Sequence, residues 1–331
     1  MRRRRAGLMA VLAISLLVIS GLLSGLGRRS IQPIAAPRRT TPAATSAPAH
    51  LVLVIEENHE YGQVIGSRQA PFLNRLAASG TLLTDYYAVS HPSLPNYLAL
   101  IGGDTFGVHS DCTRCELRVT SLVDQLEPAG ISWKAYYQDL PAPGADVTHA
   151  GAYTINVDPF LHFDDVRASP ARRHDVVPLG RFEADLAANR LPRFAVVAPD
   201  LRHDMHSGSV AAADRFLHSL YGQLTASRAW PETRLIVTFD EGASRHGIDG
   251  GPGGGQVATI VVGAGVAAGV RDGTPYDHYS LLRSIERLYG LPAIRHAAGP
   301  TVATIPTVVG PTDGPAVVTL PARPLRPGWR R

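Results

Sequence analysis

The sequence predicts an α/β layered fold in which a mainly parallel central sheet lies between helices. Two observations carry this expectation. Several short runs, LVLVI at 51–55, FAVVA at 194–198, LIVTF at 235–239 and ATIVV at 258–262, are apolar or nearly so at every position, as strands covered on both faces must be. Stretches with helical spacing alternate with them, the pattern of a parallel sheet wound with helices. In chain order the strands fall at Leu51–Ile55, Thr81–Ala88, Ile131–Tyr137, Phe194–Ala198, Leu235–Phe239 and Val257–Val262. The second and third are less uniformly apolar but rich in Thr, Tyr, Trp and Ile, which suit a pleated surface. Helical stretches fall at Pro71–Ser79, Leu122–Leu126, Phe182–Ala188, Val210–Leu224 and Tyr279–Leu288. A further helix is expected to start near Pro95. The sequence shows no internal repeat.

The ends differ from this body. Arg2–Arg5 precede an uncharged apolar stretch from Ala6 to about Leu26, and Arg28 and Arg29 follow it. Basic residues ahead of such a segment mark either a cleaved export signal or a signal anchor, so residues 1–30 place the body outside the cytoplasm, secreted or held at the membrane. Residues 31–49 are rich in Pro, Ala, Thr and Ser and read as a linker; 50–310 form one domain; 311–331 are a Pro/Arg-rich tail.

The net charge of +4 divides unevenly: eight arginines and no acid in residues 1–49, four arginines and one aspartate in 311–331, and therefore −7 in between. A body of that sign repels a phosphate backbone, which excludes nucleic acid as its partner. With 45% hydrophobic and 18% charged residues the chain is not a disordered one. Its two cysteines, Cys112 and Cys115, form a CxxC. A second pair for zinc is missing, as is the helix-opening context of a thioredoxin-like motif, so an exported chain favours a small-loop disulfide.

Ligands of open α/β sheets collect beyond the carboxyl ends of the strands. Here those ends carry Glu56-Glu57-Asn58-His59, Ser90-His91-Pro92-Ser93 through Asn96-Tyr97, Asp200 through His206, and Asp240-Glu241. Each residue alone has a structural explanation: a loop charge, a surface histidine, or a helix cap at Ser93. Together they offer hard oxygen ligands, imidazoles and a hydroxyl at a helix start, a set that suits a divalent cation and attack on an anion held by backbone N–H groups.

The segments IEENHEYGQVIG, SHPSLPNYLALIGGDTFGV, APDLRHDMHSGSV, LIVTFDEG and DHYSLLRSIERLYGLP resemble, in order, the motifs of the bacterial phosphoesterase family that holds secreted acid phosphatases and phosphatidylcholine-type phospholipases C. The resemblance covers residues 51–292. It implies the three-layer sandwich of the alkaline-phosphatase-like superfamily, a divalent metal cation and a hydroxyl nucleophile. By the same matching, Ser93 is the nucleophile and Asn96 a phosphate-oxygen donor, with His91 and His206 as further catalytic residues. Glu57-Asn58 and Asp240-Glu241 would be the metal-binding pairs, and Asp204 and His278 possible additions. Asp240-Glu241-Gly242 stands where two-zinc relatives carry Asp-His-Gly, so one cation of unnamed identity is expected.

The implied activity is hydrolysis of phosphate monoesters through a phosphoserine, acting on a phosphorylated small molecule or a phospholipid. A phospholipase C-type phosphodiesterase is the alternative, and a non-catalytic cation- or sugar-binding surface protein is the alternative of another class. Arg245-His246-Gly247 is similar to the RHG of histidine acid phosphatases but lacks its continuation. The glycine-rich 247–256 lacks the Lys-Ser/Thr ending of a phosphate-cradling loop, and no GxSxG elbow occurs.

Overall fold

The structure, a computed structural model, describes residues 47–310. The expected leader at 1–30, the linker up to residue 46 and the tail at 311–331 lie outside the described residues. Among the described residues no helix is long and apolar enough to cross a membrane.

The central sheet has eight strands: β1 (His50–Glu56), β2 (Thr81–Leu83), β3 (Trp133–Tyr137), β4 (Val176–Pro178), β5 (Phe194–Ala198), β6 (Thr233–Phe239), β7 (Thr259–Gly263) and β8 (Val270–Asp272). Their order is β8-β2-β7-β6-β1-β5-β3-β4. Only β7 runs against its neighbours; the other pairs are parallel. The two central strands, β1 and β6, are buried along nearly their whole length, which is why their sequences are apolar on both faces.

Five longer helices cover the sheet: α1 (Pro71–Ser79), α2 (Ser93–Gly102), α3 (Gly180–Ala187), α4 (Val210–Ala226) and α5 (His278–Leu288). Val52 and Val54 of β1 meet Phe72 of α1, Phe182 of α3 and Leu217 of α4 in one layer, and α2 packs on α5 in the other. Each buried Val or Leu of this core contributes about 1.5–3 kcal/mol, and a one-residue register slip would turn them all to the wrong face. The buried Asp214 of α4 accepts the N–H groups of Phe72 and Leu73 at 3.0 and 2.8 Å, so a carboxyl inside the core caps the open start of α1.

Three details differ from the sequence expectation. The run 81–88 divides into β2 and a separate two-residue ribbon, Tyr86–Tyr87, paired with Tyr276–Asp277. Edge strands β4 and β8, three residues each, add to the six expected. Helix α2 begins at Ser93, not near Pro95: proline within the first turn removes an N–H that has no helical partner.

Candidate active site

Because β1, β5 and β6 are adjacent and parallel, their carboxyl ends open on one edge of the sheet. The ladder continues past the strands: Asp240 N donates to Glu56 O at 2.9 Å, Glu57 N to Asp204 O at 2.8 Å, and His59 N to Glu241 O at 3.1 Å. Backbone bonds thus join the three acidic loops that the sequence places far apart.

Ser93, the first residue of α2, stands over this floor. Its hydroxyl donates to Glu57 Oε2 at 2.9 Å. Tyr97, one turn along α2, holds the other oxygen of Glu57 at 2.8 Å. The carboxyls of Glu57, Asp204, Asp240 and Glu241 are buried. Burial first, then the Asp240 and Asp204 charges, raises Glu57 well above the usual range. Burial likewise pushes Asp240 up to about 6, Asp204 to about 8 and Glu241 to about 9, the last also facing Asp240 and Asp111.

Without a counter-charge such a cluster keeps protons. Asp204 Oδ2, Asp240 Oδ2 and both oxygens of Glu56 are buried with no hydrogen-bond partner. Unpartnered hard oxygens in a buried acidic cluster are donors a divalent cation takes; Asp240 and Asp204 present one each and Glu56 two, so this floor fits the metal that the sequence resemblance implies, with Glu57 and Glu241 beside it bonded to Ser93, Tyr97 and His91. Among the described residues no three such side chains are already arranged around one ion-sized point.

His91 joins this cluster to the following loop. Its Nε2 meets the Ser244 carbonyl at 2.7 Å and so carries a hydrogen, while Nδ1 lies 2.7 Å from Glu241 Oε2. A short hydrogen bond therefore ties His91 to Glu241. The loop itself is held by Glu60, whose carboxylate accepts the N–H groups of Ala243, Ser244 and Gln256 and the Ser244 hydroxyl. Burial works against this charge, but the donors outweigh it and hold Glu60 below the usual range. The glycines follow: a Cβ on Gly242 would come within 2.4 Å of Glu60 Oε2, and Gly255, at φ +91°, would meet it at 2.7 Å.

Above the floor lies a cleft of about 300 Å³. Glu57 and Ser93 form its bottom; Asp111 and Thr113 from the CxxC loop, Asn156, and the exposed His206 stand around it. Cys112 and Cys115 are joined as a disulfide. Asp204 orients the His206 segment by accepting its backbone N–H at 2.8 Å.

A model of the phosphoesterase family matches residues 66–292. The chain belongs to the phosphoesterase family. A protein of Mycobacterium tuberculosis named Phosphatidylinositol-3-phosphatase is 36% identical to this phosphoesterase over 263 residues, covering 77% of this chain and 82% of that one. An Acid phosphatase of Aspergillus fumigatus is 30% identical over 231 residues, covering 66% of this chain and 50% of that one; the chain spans about half the length of this fungal relative. A solved structure of an alkaline phosphatase superfamily protein from Vibrio parahaemolyticus superposes with a TM-score of 0.54 at 15% identity, covering 78% of this chain and 71% of that one, which shows the shared fold. The phosphoesterase is a phosphoric ester hydrolase.

Of the residues that sequence reading assigns to its site, Ser93, Glu57, Asp240, Glu241, His91, Asp204 and His206 come together. Three serve differently from expectation. Asn96, expected to donate to a phosphate oxygen, gives its amide hydrogens to Ser90 O and Pro92 O and accepts from Val89 N and Ser90 N; it latches the loop that delivers Ser93. Asn58 meets Asp240 through its backbone N–H at 3.0 Å, from a left-handed φ of 57° that asparagine tolerates. His278 sits behind the site: Nε2 donates to the Asp240 carbonyl at 2.6 Å, Nδ1 accepts from Tyr86, and burial holds it down at about 4. It is a neutral prop.

Asp111 and Glu60 are the residues that sequence reading missed. Asp111 Oδ1 accepts the Leu94 N–H at 2.9 Å, occupying the N-terminus of α2 where an anionic substrate would lie. Its only sequence signal is adjacency to Cys112. His246 of the RHG triplet is exposed on the loop and is not part of the cleft.

Proposed function

We propose that this phosphoesterase hydrolyses phosphate monoesters outside the cytoplasm, with Ser93 as nucleophile. The observation that carries the proposal is the Ser93 hydroxyl, which opens α2 at the bottom of a cleft with its oxygen 2.9 Å from the buried Glu57 carboxyl oxygen to which it donates. Ser93 Oγ bonds to phosphorus as the bond from phosphorus to the leaving oxygen breaks; the hydroxyl proton goes to the Glu57 side. His206, at the mouth, supplies a proton to the leaving alcohol. Water then attacks the phosphoserine: a bond from its oxygen to phosphorus forms as the Ser93 Oγ–phosphorus bond breaks, the proton held on the Glu57 side returns to Ser93, and the proton lost by water returns to His206 as phosphate leaves. One divalent cation, held at Asp240 on this floor beside Glu57 and Glu241, would lower the hydroxyl pKa and neutralise charge on the phosphoryl oxygens.

Export rests on the Arg2–Arg5 cluster ahead of the apolar segment; a reporter active only in the cytoplasm, fused after residue 320, is expected to stay silent. Ser93→Ala is expected to lose at least ~10³-fold in turnover, about 4 kcal/mol of transition-state stabilisation, while remaining folded. Acid quench of the wild type and mass spectrometry should find phosphate on Ser93; phosphate on any histidine would end this reading. The same p-nitrophenyl phosphate assay after exhaustive chelation tests the cation, and full activity in a metal-free sample removes it.

A further inference from the structure

We propose that the leaving-group side of the cleft is built for a neutral polyol, so that the preferred ester is the monophosphate of a sugar or an inositol ring. This rests on the phosphomonoesterase reading and adds the substrate class.

Beyond Ser93 and Glu57, three loops wall the cleft: the disulfide loop with Asp111 and Thr113, the segment His149–Val157, and the turn after β5 with Leu201 and His206. The middle wall is a short ribbon in which His149–Ala150 pairs with Tyr153–Thr154. There the Thr154 hydroxyl donates to Asn156 Oδ1 at 2.7 Å, with His149 Nε2 at 3.5 Å. The amide oxygen of Asn156 is thereby pinned, and among the described residues its two N–H donors have no protein partner. Amide, imidazole and hydroxyl groups around one space suit a ligand whose groups both donate and accept, as alcohol hydroxyls do.

Charge and shape exclude the competing classes. The lining holds two carboxylates, Glu57 and Asp111, and no lysine or arginine. The arginines carried by the same loops are engaged elsewhere, Arg114 with Asp146 at 2.8 Å and Arg202 with Asp139 and Asp200 at 2.6 Å. A second phosphate on the leaving group therefore meets like charge with no guanidinium or ammonium to pair it, only the imidazoles of His149 and His206. A quaternary ammonium normally rests on aromatic faces, and no Phe, Tyr or Trp lines the cleft. An alkyl group would find only Val157 and Leu201. The volume of about 300 Å³ lies at the small end of ligand sites, enough for one ring and its phosphate.

The test is a substrate panel on the full-length enzyme, comparing kcat/KM for glucose 6-phosphate and an inositol monophosphate with fructose 1,6-bisphosphate, phosphocholine and n-butyl phosphate. The polyol monophosphates should lead by at least ~10-fold, the scale of one or two well-placed hydrogen bonds. Asn156→Leu and His149→Ala should each shrink the ratio of polyol to butyl phosphate several-fold, a change that a general loss of folded enzyme does not produce. Equal or better use of phosphocholine, the bisphosphate or butyl phosphate overturns the inference while leaving the phosphomonoesterase reading intact, provided p-nitrophenyl phosphate is cleaved in a Ser93-dependent way. Cleavage of no monoester at all removes both.

Discussion

A side-chain amide buried beside a nucleophile can serve substrate or backbone, and its hydrogen bonds decide which. Asn96 spends both donors and accepts two N–H groups within the loop 89–92, so its removal strands two partly buried backbone donors. Asn96→Ala should cost about 2–4 kcal/mol in denaturant unfolding; an amide used only for substrate would leave stability unchanged. The contrast marks what sequence shows at this scale. Ser93, Glu57 and Asp240 are legible because chemistry-bearing residues directly follow apolar runs. The latch at Asn96, the prop at His278 and the plug at Asp111 depend on partners far along the chain, and no local pattern carries that information.

At the scale of elements, Gly242 and Gly255 in the stretch 242–256 are glycines because the Glu60 carboxylate is packed against their backbone. Glu60→Ala should release the loop and, through Ser244, the Nε2 anchor of His91. Four charge-assisted hydrogen bonds are lost, so about 2–4 kcal/mol of stability is expected to go, together with a fall in kcat that Glu60→Ala shows in its folded fraction; unchanged kcat would mean that the loop holds its place without the clasp. The clasp is not legible in the sequence because Glu60 lies 182 positions before Gly242 and nothing near it signals a partner. Elements that bury both faces, such as β1 and β6, were legible from composition alone. Edge strands β4 and β8 were not: with three residues each, partly exposed in β8, they have too few positions for any period to show.

For the molecule as a whole, buried acids away from the reacting groups set how stability responds to pH. Burial raises Glu286 from 4.5 to about 8, against the opposing Ile294 N–H and Arg283, and raises Asp158 from 3.8 to about 7, against hydrogen bonds from Tyr153 and Tyr137. A raised carboxyl keeps its proton in the folded state after the unfolded chain has lost it, so its contribution is complete below the unfolded value and disappears as pH rises through the folded one. Asp146 and Asp200 are lowered and act in the opposite sense, losing their contribution only as pH falls below the ordinary carboxylate range. The melting temperature should therefore be higher near pH 5 than at pH 8.5, by about 5 °C or more, and Glu286→Gln should flatten part of that slope. A melting temperature that climbs from pH 5 to 8.5 would show that these acids ionise freely in the folded state.

The backbone bonds that continue the sheet beyond β1, β5 and β6 divide the site mechanically. Glu57, His59 and Asp240 donate their amides across strand ends, so they can exchange with solvent deuterium only when the centre of the sheet opens. The ribbon at 149–154 has just two paired positions and can open alone. Amide exchange should accordingly be slow at the floor and fast along the wall. Evolution can then redraw the wall for a new alcohol while the floor, and with it the phosphorus chemistry, stays fixed.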